Sequence, residues 1–86
     1  MSSKLAVACI QHACVDAREA NLATTAALVR RAAAGGARLV LLQELHNGLY
    51  FCQTEDPALF AQAEPIPGPS TETFGALARE LGVVLV

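Results

Sequence analysis

Three short, uninterrupted apolar runs, LAVACI, LVLL and VVLV, limit the folds open to this chain. None alternates with polar residues as a strand with one wet face would, so each is typical of a strand buried on both faces of a parallel sheet. We expect strands over Lys4–Gln11, Arg38–Gln43 and Val83–Val86. Within the first of them, Cys9 is expected to be a small core residue.

The segment after the first strand carries the signals of a helix. Asp16 and Glu19 form a capping-box-like start at the positive end of the helix dipole. Gly35 and Gly36 end the helix. Its apolar stripe, at helical spacing, consists of Leu22, Ala26, Val29 and Ala33.

A long connection and a second helix separate the second and third strands. The connection passes through Pro57, with a short helical turn expected over 58–62, and its proline-rich part at 64–69 must be extended. Ser70 is predicted to cap the second helix, and Gly82 to end it. The predicted stripe is Phe74, Leu77, Ala78 and Leu81. Strands alternating with helices predict an α/β fold with parallel strands.

The composition and the net charge make several classes of function unexpected. Of the 86 residues, 53% are hydrophobic and 16% charged, which is an apolar balance for so short a chain. The net charge is −2 and the six basic residues are scattered, so neither a nucleic acid nor an anionic membrane is an expected partner. No apolar run approaches the roughly 20 residues of a membrane span. Three cysteines, an odd number, favour a cytoplasmic protein over a secreted disulfide framework.

Glu44 is the first candidate for chemistry. Ligands of parallel α/β sheets bind outside the carboxyl ends of the strands, and Glu44 follows the second apolar run at such an end. Burial beside the sheet edge would suit its carboxylate to proton transfer near neutral pH. The alternative is a surface carboxylate where the chain leaves the sheet.

Other chemistries fit the residues less well. The first strand is not followed by the glycine-rich turn that a nucleotide or phosphate site needs. A zinc site would have to draw its ligands from separate loops without a CxxC or HxxxH pair, the candidates being His12, Cys14, His46 and Cys52. A nucleophilic pair of Cys52 with a histidine lacks an oxyanion hole and ranks below the zinc site.

The segment from QELHNGLYFCQ (residues 43–53) through PIPGP (65–69) to LGV (81–83) resembles the nitrilase, or carbon–nitrogen hydrolase, superfamily. The residues around Glu44 are similar more narrowly to the N-carbamoylputrescine amidases. The resemblance covers essentially the whole chain. It implies the N-terminal β-α-β-α-β portion of a four-layer αββα sandwich.

The superfamily uses a Glu–Lys–Cys triad, and Glu44 matches its general base. The lysine and the nucleophilic cysteine match no residue here. Lys4, the only lysine, lies at the amino end of the first strand, roughly 20 Å from the other edge, and Cys52 matches the substrate loop. The resemblance therefore implies that residues 1–86 are the N-terminal segment of a single, truncated hydrolase domain and are inactive alone.

For the complete enzyme the resemblance implies hydrolysis of N-carbamoylputrescine to putrescine, carbon dioxide and ammonia, without metal or organic cofactor, in a cytoplasmic homo-oligomer. Tyr50 and Phe51 are candidates for cation–π contact with the substrate's ammonium group, and Glu55 and Asp56 for charge pairing. Each has an ordinary alternative, since loop aromatics often pack on the domain and residues 55–57 resemble a helix start. A β-ureidopropionase-like or aliphatic amidase specificity, or a non-catalytic ligand-binding module, remains open.

Overall fold

The computed structural model describes residues 3–86. Its main elements are β1 (Val7–Cys9), α1 (Arg18–Ala34), β2 (Leu39–Leu41), α2 (Pro69–Leu81) and β3 (Val84–Leu85). Two short 3₁₀ turns, Phe51–Gln53 and Pro57–Gln62, lie in the connection between β2 and α2. The second of them confirms the expected helical turn in that connection.

The strands form one parallel sheet in the order β1-β2-β3. Val7 lies opposite Leu39, which lies opposite Val84. The strands are shorter than the ranges expected from the sequence, although hydrogen bonds continue the pairing beyond them. The Ile10 N–H donates to the Leu41 carbonyl at 2.8 Å, and the Val86 N–H to the Val40 carbonyl at 2.9 Å. The prediction of an α/β fold with parallel strands is confirmed.

The hydrophobic core lies on one side of this sheet. Val40 points into it, fully buried, against Val29 of α1 and Leu77 of α2. The opposite face of the described chain is exposed, with Val7, Cys9, Leu41 and Val84 alternating with the buried positions. The expectations of burial on both faces and of a core position for Cys9 are therefore wrong for residues 3–86, because both helices pack on the same face.

The ends of α1 differ in how well the sequence predicts them. The helix ends as expected, with Gly36 in a left-handed conformation (φ 101°) that a side chain would disfavour. Its start does not use the predicted capping box. Ala17 occupies the cap position and no side chain caps the helix, so Asp16 and Glu19 do not form a capping box, although Glu19 does lie in the first turn at the positive end of the helix dipole.

The start of α2 is also corrected. Gly68 is the cap residue and Pro69 the first helical residue, so Ser70 lies one position inside the helix. A Cβ at position 68 would collide with the Pro65 carbonyl, which explains the glycine. A carboxylate from outside the helix, that of Glu64, accepts the hydrogen bond of the Ser70 N–H at 2.6 Å.

The most buried row of α1 shares only Val29 with the predicted stripe. Asn21, Thr25 and Val29, spaced by four residues, face inward and are at most 2% exposed. The predicted Leu22 and Ala26 are only partly buried. This one-position rotation of the helix places two polar side chains beside the carboxyl ends of the strands.

Within residues 3–86, no helix combines the length and apolar character that crossing a bilayer requires.

Candidate active site

The loops that leave β1 and β2 lie side by side, because parallel strands direct both to one edge of the sheet. The side chain of Gln43 joins them. Its Oε1 accepts a hydrogen bond from the His12 N–H at 2.7 Å, and its Nε2 donates to the Leu45 carbonyl at 3.0 Å. Glu44 thus lies between Gln43, whose side chain bonds the neighbouring loop, and Leu45, whose carbonyl is bonded by the same side chain.

A second connection comes from the buried amide of Asn21. Its Oδ1 accepts from the Val15 N–H at 2.8 Å, and its Nδ2 donates to the Val15 carbonyl at 2.7 Å and to the Asn47 carbonyl at 2.9 Å. One helix side chain therefore fixes the β1–α1 loop and the loop that carries Glu44. Next to it, His12 Nε2 lies 2.8 Å from the Thr25 hydroxyl.

Residues in the first turns of α2 also contact the loop that carries Glu44. Asn47 Nδ2 donates to the Ser70 hydroxyl at 2.6 Å, while its buried Oδ1 makes no hydrogen bond within the described part of the chain. Glu64, which accepts from the Ser70 N–H, also pairs with Arg18 of α1 at 3.5 Å. His46 packs edge-to-face against Phe74 with 5.4 Å between ring centres. These contacts join the Glu44 loop to both helices.

The loops enclose an open cavity of about 860 Å³. Four carboxylates line it, those of Asp16, Glu19, Glu44 and Glu64. Only Glu64 has a salt-bridge partner among residues 3–86, namely Arg18, which lines the same cavity. The cavity therefore carries a negative charge, which favours a cationic ligand.

The structure brings together some of the residues proposed from the sequence. Glu44 and Phe51 both line the cavity, whereas Tyr50 and Glu55 are exposed outside its lining. Hydrogen bonding to Cys52 raises the pKa of Tyr50, and repulsion from Glu44 makes a smaller contribution in the same direction. Tyr50 is thus close enough to Glu44 for the charge of that carboxylate to raise its pKa.

One of the sequence interpretations needs correction at this site, and one of the alternatives gains support. The Glu44 side chain is exposed within the described chain, so burial at the sheet edge does not shield it here. Asp56 caps the second 3₁₀ turn, with its Oδ1 accepting from the Ala58 N–H at 3.0 Å, which supports the helix-start alternative for residues 55–57.

The alternative metal site finds no support in the geometry. In the part of the chain that the structure describes, no three His, Cys, Asp or Glu side chains come together as metal ligands. Cys14 instead donates a weak hydrogen bond to the Leu45 carbonyl, with its sulfur 3.6 Å from the oxygen. Cys52 is exposed in the first 3₁₀ turn.

Sequence reasoning missed the two amides that organise this edge, Asn21 and Gln43. The available signal was positional. Asn21 lies four residues before Thr25 and eight before Val29, which places it on the same helix face. Gln43 is the first polar residue after an apolar strand.

The pH dependence of stability should depend in part on Glu64. The hydrogen bond from the Ser70 N–H lowers the pKa of Glu64 below its ordinary value of 4.5; Arg18 lowers it further, while partial burial opposes both. A carboxyl group whose pKa is lower in the folded state stabilises the fold above its unfolded pKa, and that contribution is lost as the pH falls through the folded value. We expect Glu64→Gln to destabilise the full-length protein near neutral pH, with the difference from the parent shrinking and then vanishing as the pH falls through the folded pKa of Glu64.

Urea unfolding across this pH range measures the effect. The control is Glu72→Gln, which removes an equal charge from the first turn of α2, where the Glu72 carboxylate receives no hydrogen bond in the structure. A pH-dependent loss of the same size in both variants would contradict a specific contribution from Glu64.

Similarity to known proteins identifies the family that shares this fold. Residues 6–86 match the carbon–nitrogen hydrolase family. The crystal structure of a carbon–nitrogen hydrolase from Helicobacter pylori G27 superposes with a TM-score of 0.85 at 35% sequence identity, covering 94% of this chain and 28% of that one. The chain belongs to the carbon–nitrogen hydrolase family.

Two curated relatives show which kinds of enzyme within the family the chain is similar to. The N-carbamoylputrescine amidase of Solanum lycopersicum is 46% identical over 80 residues, which is 92% of this chain and 27% of the relative. The citrullinase of Francisella tularensis is 31% identical over 84 residues, which is 96% of this chain and 29% of the relative. The chain thus spans a little over a quarter of the length of each.

Proposed function

We propose that the full-length protein hydrolyses N-carbamoylputrescine with one water to putrescine, carbon dioxide and ammonia, and that Glu44 is its general base. The observation that carries the proposal is the position of Glu44, which follows β2 at the carboxyl edge of the sheet and lines the cavity. The similarity to N-carbamoylputrescine amidases over nearly the whole chain supports the choice of substrate.

In the proposed reaction, the Glu44 carboxylate takes the proton of a cysteine thiol, and the thiolate attacks the carbamoyl carbon. A lysine stabilises the oxyanion, and its collapse breaks one C–N bond and expels an amine that takes the proton from Glu44. Water then hydrolyses the enzyme-bound thiocarbamate and restores the thiol, and the carbamate released breaks down to carbon dioxide and the second amine. The cysteine and the lysine are taken from the superfamily pattern, and no residue of this chain matches either of them. The contribution of the described residues is the base and one part of the substrate cavity.

The charge of the cavity supports a substrate with an ammonium group. Asp16, Glu19 and Glu44 line it without a salt bridge among residues 3–86. Phe51 offers an aromatic face in the same lining, and Tyr50 and Glu55 lie in the adjoining loop. A β-ureidopropionase-like substrate carries a carboxylate instead, which these acids would repel.

The charge argument predicts an order of substrates. The specificity constant kcat/KM of the full-length protein should be highest for N-carbamoylputrescine and at least about tenfold lower for N-butylurea, which lacks only the terminal ammonium group. A single cation–π or charge contact is worth about 1–2 kcal/mol, and 1.4 kcal/mol corresponds to tenfold. β-Ureidopropionate should be poorer still.

Ammonia release from the three compounds, measured under identical conditions, tests both the activity and the specificity. Equal rates with N-butylurea and N-carbamoylputrescine would indicate a general amidase that does not recognise the ammonium group. Preference for β-ureidopropionate would favour the alternative specificity. Ammonia release from none of them would favour a non-catalytic binding module.

A further inference from the structure

The backbone on both sides of Glu44 is held by hydrogen bonds, although the Glu44 side chain is exposed. On the preceding side, the Gln43 carbonyl lies 3.1 Å from Nδ1 of His46, which donates to it when the imidazole proton is on that nitrogen. On the following side, the Leu45 carbonyl accepts from Gln43 Nε2 at 3.0 Å. The peptide group before Glu44 and the one that follows Leu45 are thus tied within a single turn.

Gln43 also connects this turn to the sheet. Its Oε1 accepts from the His12 N–H, which belongs to the loop leaving β1. The same amide group therefore uses its acceptor on one loop and its donor on the other, and no other side chain in residues 3–86 bonds both His12 and Leu45. A carboxylate that must meet a reacting proton benefits from such support, because a displacement of about 1 Å can lower a rate by about 100-fold.

We infer that Gln43 is a positioning residue, which fixes the backbone of Glu44 so that the carboxylate points at the reacting group. The inference rests on the proposed function, since it needs Glu44 to be the base. It assigns Gln43 no contact with the substrate. Removing its amide should therefore lower kcat and leave KM nearly unchanged.

A double-mutant cycle in the full-length enzyme tests this role. Gln43→Met keeps the length of the side chain and removes all three of its hydrogen bonds, including the weak one that Nε2 donates to Cys14 Sγ at 3.7 Å. Alone, it should lower kcat by about 10- to 100-fold, with KM within about threefold of the parent. If Gln43 acts through Glu44, the double variant with Glu44→Gln should be no less active than Glu44→Gln alone, because the base that Gln43 positions is already absent.

The outcomes separate this inference from the proposed function. Losses that add fully in the double variant, or a Gln43→Met enzyme within threefold of the parent beside an impaired Glu44→Gln enzyme, overturn the positioning role alone. A Glu44→Gln enzyme as active as the parent overturns both. The matched control is Gln53→Met, since the Gln53 side chain is exposed, makes no hydrogen bond in the described chain and lies outside the cavity lining.

A second substitution covers the case in which Gln43→Met does not fold. Gln43→Glu keeps an oxygen acceptor for the His12 N–H, removes the donor to the Leu45 carbonyl and to Cys14 Sγ, and adds a negative charge next to Glu44. Its kcat should fall while KM stays within about threefold, and amide hydrogen exchange over residues 44–47 should become faster than in the parent. Unchanged exchange together with parental kcat contradicts the positioning role.

Discussion

Glu44→Gln in the full-length enzyme is expected to lower kcat/KM for N-carbamoylputrescine by at least about 100-fold and by as much as about 10,000-fold, the range typical of general-base catalysis. Glutamine preserves the size of the side chain and its capacity for hydrogen bonding, but it cannot take the thiol proton. Because the Glu44 side chain is exposed and makes no hydrogen bond within residues 3–86, the substitution should leave the fold intact.

Steady-state kinetics of Glu44→Gln and Glu55→Gln, side by side, distinguish loss of the base from loss of a loop charge. Glu55→Gln removes an equal charge from the exposed loop outside the cavity lining and should mostly raise KM, as expected for an acid that binds the ammonium group without taking part in the reaction. A Glu44→Gln enzyme within tenfold of the parent would show that the carboxylate is not the base.

Asn21→Ala is expected to produce the largest loss of stability among the loop-supporting residues, about 2–3 kcal/mol in the free energy of unfolding. The asparagine side chain is 2% exposed and makes three hydrogen bonds with the backbone of Val15 and Asn47. Truncation removes all three and leaves their partners without a donor or acceptor, and an unsatisfied buried group costs about 1–3 kcal/mol.

Urea unfolding of the full-length protein measures the effect of Asn21→Ala. The control is Thr24→Ala on the exposed face of α1, which should change the stability by no more than about 0.5 kcal/mol. Asn21→Asp keeps the acceptor for the Val15 N–H but places a buried carboxylate oxygen against the Val15 and Asn47 carbonyls, so its stability should fall at least as far as that of Asn21→Ala. Equal stabilities of Asn21→Ala and Thr24→Ala would mean that water replaces the asparagine amide without loss.

The parts of the fold that could be predicted from the sequence depend on local signals. Apolar runs located the three strands, and Gly36 and Gly82 located the helix ends, because left-handed backbone favours glycine wherever it occurs. The position of Glu44 at a carboxyl end followed from the same strand assignment. These features need no knowledge of distant residues.

The parts that could not be predicted depend on contacts between distant segments. Asn21 bonds the Asn47 carbonyl 26 residues away, and its spacing from Thr25 and Val29 shows that the three share a helix face but not that this face is turned inward. Ser70 has the residue type of a helix cap, but the close approach of Pro65 requires glycine at position 68 and moves the cap there. The exposure of Cys9 follows from both helices packing on one face of the sheet.

The amides that support the Glu44 loop hold this loop by its main chain. Asn21 bonds the backbone of residues 15 and 47, and Gln43 that of residues 12 and 45. Since every amino acid carries a backbone carbonyl, residues 45 and 47 can be replaced without removing the acceptors that hold the loop. In the proposed enzyme, substitution in this loop should therefore change which molecule is admitted while the carboxylate stays in place, which would make the edge of this sheet a favourable starting point for evolving a new specificity.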